Sequence, residues 1–171
     1  PPITPSIQRL IESQYTELIP LVQPESTDPI RWHENLELNE PTKARVLFVD
    51  NLDSFSWNIV HAFSTLEAEV IIVPGRLNSS DPLHLIEQIK PTHIVLGPGP
   101  GRPEQSVLTM QFARAALSGQ TPPLLGICLG HQILALACGG KTKKMKVGHH
   151  GANHPIQDLN TGKVFISSQN H

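Results

Sequence analysis

In Leu124-Leu125-Gly126-Ile127-Cys128-Leu129-Gly130-His131-Gln132, one cysteine joins an apolar run to a helical repeat, and this junction indicates the architecture of the chain. Residues 123–127 predict a buried strand, and the spacing of apolar residues in 129–138 predicts a helix. The cysteine has a glycine two residues before it and another two residues after it. A sharp strand-to-helix turn needs this spacing, because a Cβ at either glycine would collide across the turn. The stretch therefore predicts a nucleophile elbow with Cys128 at its tip.

The predicted elbow gives the Cys128 sulfur a favourable electrostatic environment. Unpaired N–H groups and the dipole at the start of a helix favour thiolate over thiol. The backbone N–H of Leu129 is expected to point at the oxygen of an attacked carbonyl, as half of an oxyanion hole. The alternative is a buried cysteine in a tight turn, and this stretch alone does not decide between them. Cys138 is expected to be buried, and its distance from Cys128 fits neither a metal pair nor a redox C-x-x-C motif.

The chain around the elbow alternates short apolar runs with helical repeats, which is the pattern of βαβ units. The predicted strands are 46–49, 70–73, 93–96 and 123–127, and the predicted helices are 55–66, 83–89, 104–117 and 129–138. Two later runs, around 141–147 and 163–167, predict strands at one side. The predicted fold class is α/β, with a mostly parallel open sheet and helices on both faces. Ligands are expected at the C-terminal ends of the strands.

The first 44 residues have a different pattern. Apolar residues at helical spacing after Ser6 predict an amphipathic helix over 6–22. The segment 24–41 is rich in proline and polar residues, which predicts a linker. We therefore expect an N-terminal helix and linker in 1–44 and one domain in 45–171.

Composition excludes several classes of protein. The chain has 171 residues, 39% of them hydrophobic and 16% charged, with a net charge of -2, as in ordinary globular proteins. Near-neutral charge gives no electrostatic reason to expect a nucleic-acid partner. No apolar run approaches the length of a membrane span, and Pro1 to Pro5 lack the blocks of a signal peptide. We expect a cytoplasmic protein with reduced thiols and no membrane partner.

A second motif, Gly97-Pro98-Gly99-Pro100-Gly101-Arg102-Pro103, follows a predicted strand. We call residues 97–103 the glycine–proline loop. The prolines fix φ and the glycines carry no side chain, so a ligand can lie against this backbone. A long turn is the alternative interpretation. The glycine spacing is not that of a dinucleotide-binding fingerprint.

The elbow and the glycine–proline loop, in this order, resemble the class I glutamine amidotransferases from about Arg45 to the end of the chain. Val49-Asp50-Asn51-Leu52-Asp53-Ser54-Phe55 looks like the opening strand and loop of anthranilate and aminodeoxychorismate synthase glutaminase subunits. Gly148-His149-His150-Gly151-Ala152-Asn153-His154-Pro155 and Ser167-Ser168-Gln169-Asn170-His171 look like the carbamoyl phosphate synthase small chain. The second likeness has more weight because it is longer and less generic, although the small chain's N-terminal domain has no counterpart here.

The resemblance implies a flavodoxin-like fold and a role for individual residues. Cys128 would form a glutamyl thioester and release ammonia, with no cofactor. The ammonia would be channelled to a larger ATP-using synthase subunit or domain, as in pyrimidine and arginine biosynthesis. The implied oxyanion donors are Gly99 and Leu129, and the implied glutamine-binding residues are Gly101, Gln132, Gln169 and Asn170.

The chain departs from the family pattern in its catalytic triad, because it contains no His-Pro-Glu element. His154-Pro155 is followed by Ile156 and belongs to a different motif. We therefore expect a domain incomplete at its C-terminus, and weak glutaminase activity from these residues alone. Three alternatives remain: the anthranilate or aminodeoxychorismate branch, a non-catalytic glutamine- or partner-binding module, and a cysteine hydrolase of another γ-glutamyl or peptide substrate.

Two further motifs are weak. Gly140-Lys141-Thr142 lacks the first glycine of a phosphate loop, so ATP binding by this chain is not expected. His149, His150 and His154 suggest a metal, but no cysteine or carboxylate lies at ligand spacing. No metal site is predicted.

Overall fold

The computed structural model describes residues 30–32, 44–76 and 81–171, and every structural statement below concerns these residues. The strands are β1 (Ile30–Trp32), β2 (Ala44–Asp50), β3 (Ala68–Pro74), β4 (His93–Leu96), β5 (Leu124–Gly126), β6 (His150–Gln157) and β7 (Val164–Asn170). The α-helices are α1 (Ser56–Ser64), α2 (Pro82–Ile89), α3 (Val107–Leu117) and α4 (Leu129–Ala137), and a short 3-10 helix spans Pro103–Gln105.

The main sheet has five strands in the order β1-β3-β2-β4-β5. Strands β3, β2, β4 and β5 are parallel, and β1 pairs antiparallel to β3. The chain leaves β2 towards β3 on one side and returns through α2 to β4 on the other. The strand order therefore reverses between β2 and β4, and a crevice for ligands is expected at their C-terminal ends.

Helices cover both faces of the sheet, so the strands are apolar on both sides. Leu47 and Val49 of β2 face a core that includes residues of α2, α3 and α4. Val46 and Phe48, one residue out of phase, face a second core that includes Val60 of α1. These two cores confirm the predicted α/β class with helices on both faces.

Most predicted elements are confirmed with shifts of one or two residues at their ends. Helix α2 begins where expected because the Asp81 carboxylate accepts a hydrogen bond from the Leu83 amide at 3.0 Å and Pro82 occupies the first turn. The predicted helix 104–117 is instead divided. Ser106 has φ -92° and ψ 80°, which is not helical, so it separates the 3-10 turn from α3.

Three predictions about the rest of the chain need comment. The predicted helix over 6–22 lies outside the described residues. The linker prediction for 24–41 is wrong over β1, which joins the main sheet. The strand predicted around 141–147 is also wrong, because this basic segment has no regular structure. The division into 1–44 and 45–171 otherwise stays a prediction.

Strands β6 and β7 form an antiparallel hairpin that is a separate two-stranded sheet. Its pairing is interrupted by an irregularity between Gly151 and His154. Most of its side chains are exposed, including the large apolar residues Ile156, Val164, Phe165 and Ile166. The hairpin therefore adds apolar surface rather than core.

Candidate active site

Cys128 lies at the tip of a strand-to-helix turn. Strand β5 ends at Gly126, α4 begins at Leu129, and Cys128 is the N-cap residue with φ 52° and ψ -109°. A positive φ is rare for a residue other than glycine and marks backbone held in place by its surroundings. The thiol is exposed. These observations confirm the predicted elbow geometry, but the prediction of a buried strand is wrong, because β5 is the edge strand of the described sheet and its Leu125 is 53% exposed.

The two glycines flanking Cys128 are required by close packing. A Cβ on Gly126 would lie 2.6 Å from the Leu134 side chain and 2.8 Å from the Gly130 carbonyl oxygen. A Cβ on Gly130 would lie 2.1 Å from the carbonyl oxygen of Leu96. Real Cβ atoms essentially never approach other heavy atoms this closely. The glycines therefore let α4 sit directly against β4 and β5, which fixes the position of Cys128.

The glycine–proline loop begins beside the elbow, on the neighbouring strand. Leu96 pairs with Gly126, and the Ile127 amide donates to the Leu96 carbonyl at 2.9 Å. The Gly97 amide in turn donates to the Val49 carbonyl at 2.8 Å. Farther along the loop, Arg76 donates to the Pro100 carbonyl at 2.7 Å. The loop and Cys128 therefore lie at the same C-terminal edge of the sheet, as parallel pairing requires.

The two predicted oxyanion donors belong to these two neighbouring segments. Within the described ranges, the amides of Gly99 and Leu129 donate no hydrogen bond to protein. The Leu129 side chain is 2% exposed and packs in the core, which anchors the first turn of α4. Both amides are thus unpaired within the described residues, and their access to a ligand and convergence on one oxyanion stay predictions.

The predicted glutamine-binding residues fall into two groups. Gln132 lies one turn into α4, where its backbone N–H donates to the Cys128 carbonyl at 3.1 Å. Gly101 lies in the glycine–proline loop with φ 90°. Gln169 and Asn170 lie on β7, in the hairpin. The Asn170 side chain is 2.9 Å from His150 Nδ1. In the described part of the chain, no hydrogen bond joins Gln169 or Asn170 to the elbow.

No described side chain hydrogen-bonds to the Cys128 thiol, so within residues 44–76 and 81–171 no general base is hydrogen-bonded to it. The hairpin histidines contact one another instead. The His149 ring stacks on His154 with centroids 5.3 Å apart and meets the His171 ring edge-on at 5.5 Å. Among the described residues, no three His, Cys, Asp or Glu side chains are arranged to hold a metal ion.

Cys138, predicted to be buried, is exposed. It is the C-cap residue of α4, beyond the last helical residue Ala137. The prediction extended the apolar helix by one residue and therefore placed this side chain on the packed face. The two free thiols occupy opposite ends of one helix, and both are open to solvent.

Sequence reasoning missed Asn51, which is fully buried next to the glycine–proline loop. Its side-chain amide donates to the Gly97 carbonyl at 2.9 Å and accepts from the Thr109 hydroxyl at 2.7 Å. A polar residue directly after a buried strand, at the point where strand order reverses, is the signal that could have found it. In the sequence, Asn51 stands out only as part of the 49–55 motif.

Comparisons with known proteins agree with this geometry. The family model described as glutamine amidotransferase class-I matches residues 47–171. The carbamoyl phosphate synthase small chain of Pasteurella multocida is 42% identical over 141 residues, which are 82% of this chain and 35% of that protein. The pyrimidine-specific small chain of Bacillus subtilis is 41% identical over 74% of this chain and 33% of that protein. The chain spans about a third of the length of these relatives.

Structural comparison gives the same fold. The crystal structure of a Thermoplasma acidophilum protein assigned to GMP synthase matches with a TM-score of 0.50 and 21% identity. The match covers 63% of this chain and 51% of that one.

In the described residues, no helix has the length and apolar character needed to cross a membrane. From the elbow, the adjoining glycine–proline loop and the family match over residues 47–171, we conclude that this chain belongs to the class I glutamine amidotransferases.

Proposed function

We propose that this chain hydrolyses glutamine through a Cys128 thioester and passes the ammonia to a larger ATP-using partner, as part of a carbamoyl phosphate synthase. The observation that carries this proposal is the backbone of Cys128, whose φ of 52° and ψ of -109° put an exposed thiol at the start of α4. The relatives named as carbamoyl phosphate synthase small chains support the choice of partner. Glutamine is the proposed substrate, the cytoplasm the proposed site of the reaction, and no cofactor takes part.

The proposed reaction begins with attack of the Cys128 sulfur on the side-chain amide carbon of glutamine. A carbon–sulfur bond forms and the carbonyl oxygen becomes an oxyanion, to which the Gly99 and Leu129 amides donate hydrogen bonds. Collapse of this intermediate breaks the carbon–nitrogen bond, and the nitrogen leaves as ammonia after gaining a proton. Water then hydrolyses the thioester, which releases glutamate and restores the thiol.

The proposed substrate contacts use backbone and amide groups. Gln132 lies four residues after Cys128 in α4, whereas Gly101 lies in the glycine–proline loop, which follows the strand paired with β5. Amide side chains can donate to the carboxylate of glutamine and accept from its ammonium group. Gln169 and Asn170 are proposed as further contacts. For this role, the Asn170 side chain must add the substrate to its existing contact with His150 or exchange one for the other.

The proton transfers need a general acid and base, and no described side chain is hydrogen-bonded to the Cys128 thiol for this role. We propose that the triad histidine and glutamate lie outside residues 1–171. General acid–base help is typically worth about 10²- to 10⁴-fold in rate. The 171-residue chain is therefore expected to react covalently at Cys128 but to turn glutamine over slowly, and a form of the protein that contains the triad residues is expected to be active.

Labelling with a chloromethyl ketone analogue of glutamine tests this proposal. Mass spectrometry is expected to find the label on Cys128, with the reaction lost in Cys128→Ser and retained in the matched variant Cys138→Ser. Free glutamine is expected to slow the labelling. If Cys128 does not react, the chain is a non-catalytic glutamine- or partner-binding module. Fast turnover by the 171-residue chain would instead assign the base to a histidine of the hairpin.

The anthranilate or aminodeoxychorismate branch is a second candidate for the ammonia acceptor. Its support is the likeness of residues 49–55 to the opening strand and loop of those glutaminase subunits. In this loop, Asp50 accepts hydrogen bonds from the Leu52 amide at 3.0 Å and the Ser56 hydroxyl at 2.6 Å. Mixing the active form with a carbamoyl phosphate synthase large chain or with a chorismate-using synthase chain distinguishes the two. Glutamine-dependent product formation is expected only with the large chain. We also propose the predicted helix 6–22 as a docking element for the partner.

A further inference from the structure

We propose that Asn51 is a positioning residue for the glutaminase reaction, because it sets the backbone of the glycine–proline loop that carries the Gly99 oxyanion donor. This inference rests on the proposed function for the role of Gly99. The contacts of Asn51 themselves do not depend on it. Asn51 is not proposed to touch the substrate, so it acts through the loop alone.

The hydrogen bonds of Asn51 join three separate parts of the chain. Its Nδ2 donates to the carbonyl oxygen of Gly97 at 2.9 Å, across 46 residues of sequence. Its Oδ1 accepts from the Thr109 hydroxyl at 2.7 Å, across 58 residues. Both side chains have no exposed surface. A buried polar group without a partner is destabilising, so these bonds hold the start of the loop to β2 and α3.

Close packing adds to the hydrogen bonds. A Cβ on Gly99 would lie 2.4 Å from both the Cβ and the carbonyl oxygen of Asn51. A Cβ on Gly75, at the end of β3, would lie 2.4 Å from Asn51 Oδ1 and 2.5 Å from the Thr109 hydroxyl. Asn51 is therefore packed between Gly75 and Gly99, and neither of these two residues has room for a side chain. The Gly99 backbone packs directly against Asn51. Only Pro98 separates Gly99 from Gly97, whose carbonyl accepts the hydrogen bond from Asn51.

The chemistry of the contact requires an amide at residue 51. Asparagine supplies one donor for the Gly97 carbonyl and one acceptor for the Thr109 hydroxyl in the same planar group. Aspartate has the same shape and keeps the acceptor, but it has no donor and places a second oxygen against the Gly97 carbonyl. Asn51→Asp therefore tests the bond to the loop with little change in side-chain volume.

Two reagents separate positioning from general stability. Iodoacetamide alkylates an exposed thiol without an oxyanion hole, whereas the chloromethyl ketone analogue of glutamine places a carbonyl oxygen where the Gly99 and Leu129 amides would bind it. In Asn51→Asp and Asn51→Ala, we expect the rate with the ketone to fall about 10- to 100-fold, because a misplacement of about 1 Å costs roughly that much. The rate with iodoacetamide is expected to change less than about twofold, since the elbow is intact.

Matched variants control for folding. Glu69→Gln disturbs another buried polar group, the ion-pair partner of Arg45, and is expected to change neither rate. Thr109→Val removes the hydroxyl that holds Asn51 and is expected to reproduce a smaller fall with the ketone alone. Thr109→Ser keeps the hydroxyl and is expected to restore the rate. Amide hydrogen exchange at residues 97–101 is expected to quicken in the Asn51 variants and not in Glu69→Gln.

The possible results are distinct. An unchanged ketone rate in Asn51→Asp and Asn51→Ala overturns the inference, and so does a parallel fall with both reagents, which marks Asn51 as a purely structural residue. If the unaltered protein does not react with the ketone, the proposed function fails. Hydrogen exchange at 97–101 then still decides whether Asn51 holds the loop, because that measurement needs no reaction at Cys128.

Discussion

Replacement of Gly130 by alanine tests the packing that places Cys128, the proposed nucleophile. The new Cβ would lie 2.1 Å from the Leu96 carbonyl oxygen, 2.6 Å from its carbonyl carbon and 2.7 Å from its Cβ. Carbon–oxygen contacts are seldom closer than roughly 3.3 Å, so α4 must move away from β4 by about 1 Å. The colliding atoms belong to a buried strand paired on both sides, and they cannot rotate out of the way.

The expected cost follows from two opposing effects. Overpacking of a well-filled interior costs about 1–3 kcal/mol, and the backbone collision in Gly130→Ala belongs at the upper end. Alanine recovers about 1 kcal/mol over glycine within a helix. The net loss of unfolding free energy is therefore about 2 kcal/mol, which for a chain of this size lowers Tm by about 4–8 °C. A movement of about 1 Å at the elbow is also expected to slow ketone labelling of Cys128 about 100-fold.

Thermal and urea denaturation followed by circular dichroism measure this loss. Gly119→Ala is the control, because Gly119 has φ 69° and no atom lies within 4 Å of the position that a Cβ would take there. Only backbone strain of about 1 kcal/mol is expected from it. If Gly130→Ala is as stable as the unaltered chain or more stable, helix propensity outweighs the collision. The packing explanation of the elbow would then be wrong.

Three further predictions concern other parts of the molecule. Phe112→Ala is expected to lower the unfolding free energy by about 3–5 kcal/mol, measured by urea denaturation, because Phe112 is fully buried between α3 and the sheet. The hydrogen bond from the Thr161 side chain holds the pKa of Asp158 below its ordinary value of 3.8. The loop that contains Asp158 is therefore expected to keep this stabilisation above pH 3.8 and to lose it as pH falls through the lowered pKa. Hydrogen exchange of the loop amides measures this, and exchange that does not change on acidification would contradict it. Iodoacetamide is expected to alkylate Cys128 faster than Cys138 although both are exposed, because the start of α4 favours an anion and its end does not, and equal rates by mass spectrometry would oppose this explanation.

Features fixed by local sequence were the ones that could be predicted. The elbow needs small residues at 126 and 130, and this requirement is visible in nine consecutive residues. The neighbouring position of the glycine–proline loop then follows from parallel pairing of successive apolar strands. Asn51 could not be predicted in the same way, because its partners lie 46 and 58 residues away and only the folded sheet brings them together.

The failures of prediction have physical causes of the same kind. Strand β1 has three residues and is defined by its pairing with β3, so it is too short for a hydrophobic period to predict it from the sequence. Strand β6 contains Gly151 and Pro155, which usually interrupt strands, yet backbone pairing with β7 maintains it. In the basic segment 141–147, only residues 144–147 alternate polar and apolar, and no strand pairs with this segment in the described structure. Tertiary pairing decided these three cases.

The hairpin exposes a run of large apolar residues that has a consequence for association between copies of the chain. Val164, Phe165 and Ile166 are 60%, 52% and 68% exposed, and as consecutive strand residues they present apolar side chains on both faces. An exposed strand of this kind is a template for association with other chains. Among the described residues, we therefore expect the hairpin to promote self-association as protein concentration rises, in addition to exposed apolar residues of the α/β body such as Leu66. Lysine at positions 164 and 166 would raise the concentration at which the chain stays dispersed, without disturbing the elbow.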